Sequence, residues 1–67
     1  MKLSTKGRYG LRAIIDIAVH SESEAVALRS IASRQDISIS YLEQLIAKLK
    51  KVGIVNSIRG AQGGYTL

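Results

Sequence analysis

Asp36-Ile37-Ser38-Ile39-Ser40-Tyr41-Leu42-Glu43-Gln44-Leu45-Ile46-Ala47-Lys48-Leu49-Lys50-Lys51-Val52-Gly53 reads as a turn followed by one strongly patterned helix. Leu42, Leu45, Ile46 and Leu49 recur at the i, i+3, i+4, i+7 spacing that lays an apolar stripe along one side of a helix. At about 100° per residue, the opposite face carries Ser40, Gln44, Ala47 and Lys51, flanked by Glu43 and Lys48. That outer face is small, polar and partly basic. It suits a helix lying on a polar surface, and the DNA major groove is wide enough to admit one. Gly53 supplies the C′ position at which helices commonly end.

The start of this helix determines which of its first residues are free. With Ser40 as N-cap, Ser40-x-x-Glu43 is a capping box and both side chains are consumed there. With Ser38 as N-cap, Ser40 and Glu43 lie one turn inside and face outward. The Ser38 cap is favoured, because it sets Ser40 and Gln44 together on one outward turn and gives a helix of about 38–52.

Immediately upstream, Ala25-Val26-Ala27-Leu28 leads into a short helix of about Leu28 to Gln35, with Leu28, Ile31 and Ala32 as its buried stripe and no good N-cap before it. Asp36-Ile37-Ser38 is then a tight turn, with Ile37 plugging the core between the two helices. Short helix, tight turn and amphipathic helix make a helix-turn-helix pattern. Further back, a first helix begins near Ser4 or Thr5, either of which is a competent N-cap. It runs through Leu11, Ile14, Ile15, Ala18 and Val19, which share one apolar helical face, and Ser21-Glu22-Ser23-Glu24 breaks it. Lys2, Lys6, Arg8 and Arg12 crowd its start, where cations oppose the helix macrodipole. That placement points to an anionic partner or, equally, to a solvated basic turn.

Downstream of Gly53, Ile54-Val55-Asn56-Ser57-Ile58 is a short β-branched run, Arg59-Gly60-Ala61-Gln62-Gly63-Gly64 a glycine-rich turn, and Tyr65-Thr66-Leu67 a returning strand. The pair forms a hairpin over about 54–67, a wing beside the helix-turn-helix. The fold class is therefore mostly α with a small β-hairpin, a winged helix-turn-helix occupying 1–67 as one domain. The sequence stops as the second strand is completed, which reads as a fragment boundary.

The chain has 67 residues, a net charge of +5 from ten Lys+Arg against five Asp+Glu, one histidine and no cysteine. A basic balance on a small domain points first to nucleic acid and second to an anionic membrane, with plain solubility charge as the bland reading. No apolar run approaches the ~20 residues that span a bilayer, and no signal-peptide region follows the N-terminus; a cytoplasmic location is expected. His20 has no ligand partners nearby, so no metal site is expected and a solvated helix-end histidine is. The serines lack a histidine base in register and no carboxylates pair on one face, so no enzyme is expected. Gly60-x-x-Gly63 matches the loop of KH-type RNA clamps, but that clamp joins two helices and this loop joins two strands.

Three features converge on duplex DNA. Ser40 and Gln44 stand near the N-terminal end of the long helix, where Gln can pair bidentately with adenine and Ser can reach a base or a phosphate. Lys48 and Lys51 extend the same side with positive charge, and Glu43 can accept from cytosine N4 or repel phosphate. Arg59 beside Gly60 at the wing tip can reach phosphates or a narrow minor groove. Ser38, Tyr41 and the first-helix group Lys6, Arg8 and Tyr9 can supply backbone contacts, with part of each tyrosine ring serving the core edge.

Lys2-Leu-Ser-Thr-Lys-Gly-Arg-Tyr-Gly-Leu11, Ile37-Ser-Ile-Ser-Tyr-Leu-Glu-Gln-Leu45 and Ser57-Ile-Arg-Gly-Ala-Gln-Gly-Gly-Tyr65 together resemble the bacterial Rrf-two family, in three blocks that span the chain in order. The resemblance implies a winged helix-turn-helix transcriptional regulator, often a repressor, that binds palindromic double-stranded DNA as a homodimer. It implies a recognition helix starting near Ser38 with Ser40, Tyr41, Glu43 and Gln44 at the DNA, and a wing whose Arg59 and Gly60 reach the minor groove. It also implies Tyr9 and its basic neighbours at the backbone. Members of the family continue into a long dimerisation helix, and many carry cysteines that bind an iron–sulfur cluster; neither occurs in this sequence, so no cofactor is expected in this chain. The rival from another class is a winged helix that serves as a protein–protein adaptor without DNA binding. An RNA-binding domain is the third reading, to be separated by a preference for single strands.

Overall fold

The computed structural model describes residues 4–22, 24–60 and 63–67. Three helices are followed by a two-stranded antiparallel sheet: α1 (Thr5–His20), α2 (Leu28–Gln35), α3 (Ile39–Lys51), β1 (Asn56–Ile58) and β2 (Gly64–Thr66). This is a winged helix-turn-helix. The sequence-based expectations that touch Lys2, Leu3, Ser23, Ala61 and Gln62 lie outside the described residues.

Each helix boundary has a local cause. Ser4 caps α1, its side chain accepting the Gly7 N–H at 3.0 Å. α2 starts at Ala27 with no side-chain cap, in keeping with the missing cap residue in the sequence. It stops at Asp36, which adopts left-handed φ 54° and ψ 49°, a region that Asp tolerates better than most residues. The Ile37 N–H then reaches back to the Ala32 carbonyl at 3.1 Å and half-buries its side chain against the core. Ser38 caps α3, accepting the Tyr41 N–H at 3.1 Å, so Ser40 lies inside the helix rather than at its cap. The end of α3 is a Schellman motif: Gly53 takes φ 85°, its N–H bonds Lys50, and the Ile54 N–H bonds Leu49 at 2.9 Å.

Ala13, Ile17, Val26, Ile31, Ala32, Leu42, Ile46 and Val55 form the core, with Leu28, Ile37, Leu49 and Tyr65 packed on it. The stripes expected on α2 and α3 are therefore the buried ones. The apolar face expected on α1 is not. Leu11, Ile15 and Val19 stand 48, 54 and 62% exposed, Ala18 is exposed and Ile14 only half-buried. The core side of α1 is Gly10, Ala13, Asp16 and Ile17. Small residues at Gly10 and Ala13 let the neighbouring helices approach α1, so the stripe that packs is not the more apolar one that the helical period picks out. An apolar groove of about 430 Å³ consequently runs between α1 and α3 along Gly10, Leu11, Ile14 and Leu49.

The hairpin is shorter than the five-residue run suggested, because Val55 turns into the core and pairing begins only at Asn56. Its register sets Asn56 opposite Thr66, Ser57 opposite Tyr65 and Ile58 opposite Gly64; Leu67 lies beyond the strand. One link was not expected from the sequence: Val26 and Tyr65 exchange two backbone hydrogen bonds of 2.9 and 2.8 Å. The segment before α2 thus pins the wing to the helical body. Gly64 permits this, since a Cβ there would fall 2.5 Å from the Val26 carbonyl oxygen. No helix among the described residues is long and apolar enough to cross a membrane.

Candidate nucleic-acid interface

The Ser38 cap positions the first turn of α3. Its oxygen accepts from the Tyr41 amide, which leaves the hydroxyl hydrogen free to be donated outward. Within the helix, Ser40, Glu43, Gln44, Ala47, Lys48 and Lys51 are all exposed, as the side opposite Leu42, Leu45 and Ile46 must be. Packing of α1 on α3 carries Lys6 to this helix: Lys6, Tyr41, Gln44, Leu45 and Lys48 line one small cleft. Tyr9 meets Tyr41 edge to face, with ring centroids 5.9 Å apart and planes at 85°. Both rings are half-buried, so each serves the helix contact and still reaches the surface. Arg8 and Arg12 stand exposed on α1 beside Tyr9.

Lys6, Tyr9, Tyr41, Gln44 and Lys48 are therefore joined by direct contacts between the start of α1 and the outer side of α3, with Arg8 beside Tyr9 and Ser38 and Ser40 at the start of α3. Lys51, Arg59 and Gly60 stand apart from this group. Lys51 is the last residue of α3, and at 1.5 Å rise per residue it lies roughly 16 Å along the axis from Ser40. Arg59 and Gly60 follow β1 on the wing, both exposed, with Gly60 at φ 114° in the turn that the Gly63 N–H closes onto the Gly60 carbonyl at 2.9 Å. Glu43 is exposed and has no ion-pair partner among the described residues.

One functional group escaped the sequence reading. The Asp16 side chain is 1% exposed and sits between α1 and α2, where Arg34 donates to it through Nε at 2.9 Å and Nη2 at 2.7 Å. Gln35 Nε2 adds a third bond at 3.0 Å. The Arg34 hydrogen bonds hold the Asp16 carboxyl below its ordinary value of 3.8 against the opposing effect of burial, and the same contact raises the Arg34 pKa. His20 is a half-exposed helix-end residue whose Nδ1 lies 2.9 Å from the Asp16 carbonyl oxygen. Arg34 and Gln35 immediately precede the turn into α3, so the clasp fixes where that turn leaves α2. A carboxylate in step with Ala13 was the available signal, but its partners lie eighteen and nineteen residues away.

A family model described as an iron-dependent transcriptional regulator, Rrf2, matches residues 3–67. The regulator IscR of Vibrio campbellii is 55% identical over all 67 residues, which cover 40% of that protein. A Haemophilus influenzae protein named as a putative HTH-type transcriptional regulator is also 55% identical, with 45% of its length covered. Among solved structures, T. potens IscR superposes with a TM-score of 0.92 at 58% identity, and CymR, the global cysteine regulator of B. subtilis, with 0.92 at 49%. The whole of this chain aligns in both cases, over 49 and 52% of those chains. It thus spans 40 to 52% of the length of these relatives. Iron–sulfur clusters are held chiefly by cysteine thiolates. This sequence has no cysteine, and among the described residues no group of three His, Cys, Asp or Glu could hold a metal, so its residues do not fit such a cluster. Matched along nearly its full length by the family model, the chain belongs to the Rrf2 family of transcriptional regulators.

Proposed function

We propose that residues 1–67 are the double-stranded-DNA-binding domain of a bacterial transcriptional regulator that acts in the cytoplasm, with α3 as its recognition helix. The observation that carries this reading is the outer face of α3, where Ser40, Gln44 and Lys48 stand exposed while Lys6 of α1 shares a cleft with Gln44 and Lys48. Polar readers are flanked by cations, and the opposite side of the helix is locked in the core. Gln44 and Ser40 read base edges in the major groove, and Glu43 selects for cytosine or against misplaced phosphate. Ser38, Tyr41, Lys6, Arg8 and Tyr9 hold one backbone strand. Lys51, roughly 16 Å along the helix from Ser40, holds a phosphate at the far end of α3. Arg59 and Gly60 carry the wing to the minor groove. None of these roles calls for bond-making chemistry or an enzymatic step. In the longer protein, two such domains act as a homodimer on a palindromic operator, and any iron–sulfur cluster draws its ligands from outside these residues.

The test is fluorescence anisotropy of this chain with a labelled duplex and with single-stranded RNA of equal length, across 50–200 mM salt. Tighter duplex binding that falls steeply with salt is expected, as counterions are released from the neutralised phosphates. A flat duplex signal at the lowest salt, for the single domain and for a tethered pair alike, returns the fold to the adaptor reading.

A further inference from the structure

Thr5, Arg8, Tyr9 and Arg12 follow the i, i+3, i+4, i+7 spacing and line one concavity of about 180 Å³ on α1. Arg12 is held there. Its guanidinium carbon lies 5.4 Å from the centroid of the Tyr9 ring, within the range of a cation–π contact. Tyr9 is itself fixed, edge to face, by Tyr41, whose amide is bound by the Ser38 cap. A line of contacts therefore ties Arg12 to the start of the recognition helix. A guanidinium held near a ring by a cation–π contact keeps N–H groups to spare, and these can fork onto a phosphate.

The charge of Arg12 is also uncompensated. Asp16, four residues along the same helix, is the position from which a carboxylate ordinarily pairs with it. That carboxylate is instead buried against Arg34 and Gln35. Among the described residues, neither Arg8 nor Arg12 has an ion-pair partner within 4.0 Å. Two cations, a threonine hydroxyl and a tyrosine thus share a concavity with no carboxylate in its lining.

We infer that Arg12, held against Tyr9 by a cation–π contact, completes a seat for one DNA backbone phosphate together with Arg8 and Thr5, beyond the contacts made by Lys6 and α3. This rests on the DNA-binding reading above. The seat carries no base information; it sets how far α1 tilts onto the strand and so fixes the register of α3.

The experiment measures binding of this chain to a mixed-sequence duplex by anisotropy between 50 and 200 mM KCl, for wild type, Arg12→Gln, Arg12→Lys, Tyr9→Leu and the Tyr9→Leu/Arg12→Gln double variant, with thermal melts to confirm folding. For Arg12→Gln, the slope of log K against log salt should shrink by about one, with a several-fold loss at each salt. Arg12→Lys should keep the slope and lose part of the affinity, since a lysine cannot fork onto the phosphate. In the Tyr9→Leu background the loss from Arg12→Gln should be smaller, because Arg12 is no longer held. An unchanged slope in Arg12→Gln overturns the seat while leaving the DNA-binding reading intact. An undiminished loss in the Tyr9→Leu background marks a general charge effect and overturns it too. A wild-type chain that shows no salt-dependent duplex binding sinks both readings together.

Discussion

Gln44 and Asp16 mark the two extremes of what single residues do in this domain. Gln44 is exposed, and its side chain takes no part in the core. Gln44→Ala should therefore reduce the preference for a cognate over a scrambled duplex by ~1–3 kcal/mol while most non-specific affinity survives; an equal loss on every duplex in competition titrations would show that it reads no base. Asp16 is buried and acts on the fold. Its pKa is depressed by Arg34, so the stabilisation from the Arg34 clasp is complete above the ordinary carboxylate value of 3.8 and disappears as pH falls through the lower folded value. Urea unfolding of wild type and Asp16→Asn should differ by about 1.5–3 kcal/mol from pH ~7 down to ~5, with the gap closing below the ordinary carboxylate value. A gap that stays constant at acid pH would mean that the clasp contributes nothing through charge. The two residues also differ in legibility. Gln44 could be placed on an outer face from spacing alone, because the helix period fixes faces. Asp16 could not, because the pairing that makes burial of a carboxylate tolerable is a tertiary fact between α1 and α2.

At the scale of elements, α2 and α3 were legible because each has a strong stripe and a definable stop. Asp36 and Gly53 hold the left-handed positions that end them. α1 was legible in extent, through the Ser4 cap, but not in orientation. Leu11, Ile15 and Val19 face outward while Gly10, Ala13, Asp16 and Ile17 face in, which a period cannot distinguish without knowing how closely the neighbours approach. The wing was legible as a hairpin, whereas its anchorage was not, since the Val26–Tyr65 exchange uses only backbone groups. That anchorage gives the element its prediction. A Cβ at Gly64 meets backbone rather than a yielding side chain, with the Val26 oxygen at 2.5 Å. Gly64→Ala should then push the wing off the body, cost ~1–3 kcal/mol in urea unfolding, and speed hydrogen exchange at the Val26 and Tyr65 amides more than at α3. Uniform exchange across the domain would show that the wing is not a separately anchored unit.

The whole molecule measures 37 × 23 × 20 Å and carries a net charge of +5, with α3 and the start of α1 on one side. Two copies with their short dimensions along the duplex fit without overlap at the ~34–36 Å separation of half-sites one helical turn apart. The proposed homodimer on a palindrome therefore has a consequence that can be measured with this chain alone. Two domains joined by a flexible linker whose mean length matches that separation bind the second half-site at an effective concentration in the millimolar range, raising affinity ~10²–10⁴-fold over one domain. The linker supplies proximity but not angle; the angle comes from the DNA. Inserting about five base pairs between the half-sites turns the second one to the opposite side of the duplex, so the tethered pair should lose most of the gain, and about ten should restore part of it. A gain indifferent to this half-turn would mean that the domains hold phosphates without a fixed register. In that case the positioning attributed here to Ser38, Tyr41 and Tyr9 would have no effect on where α3 lies in the groove.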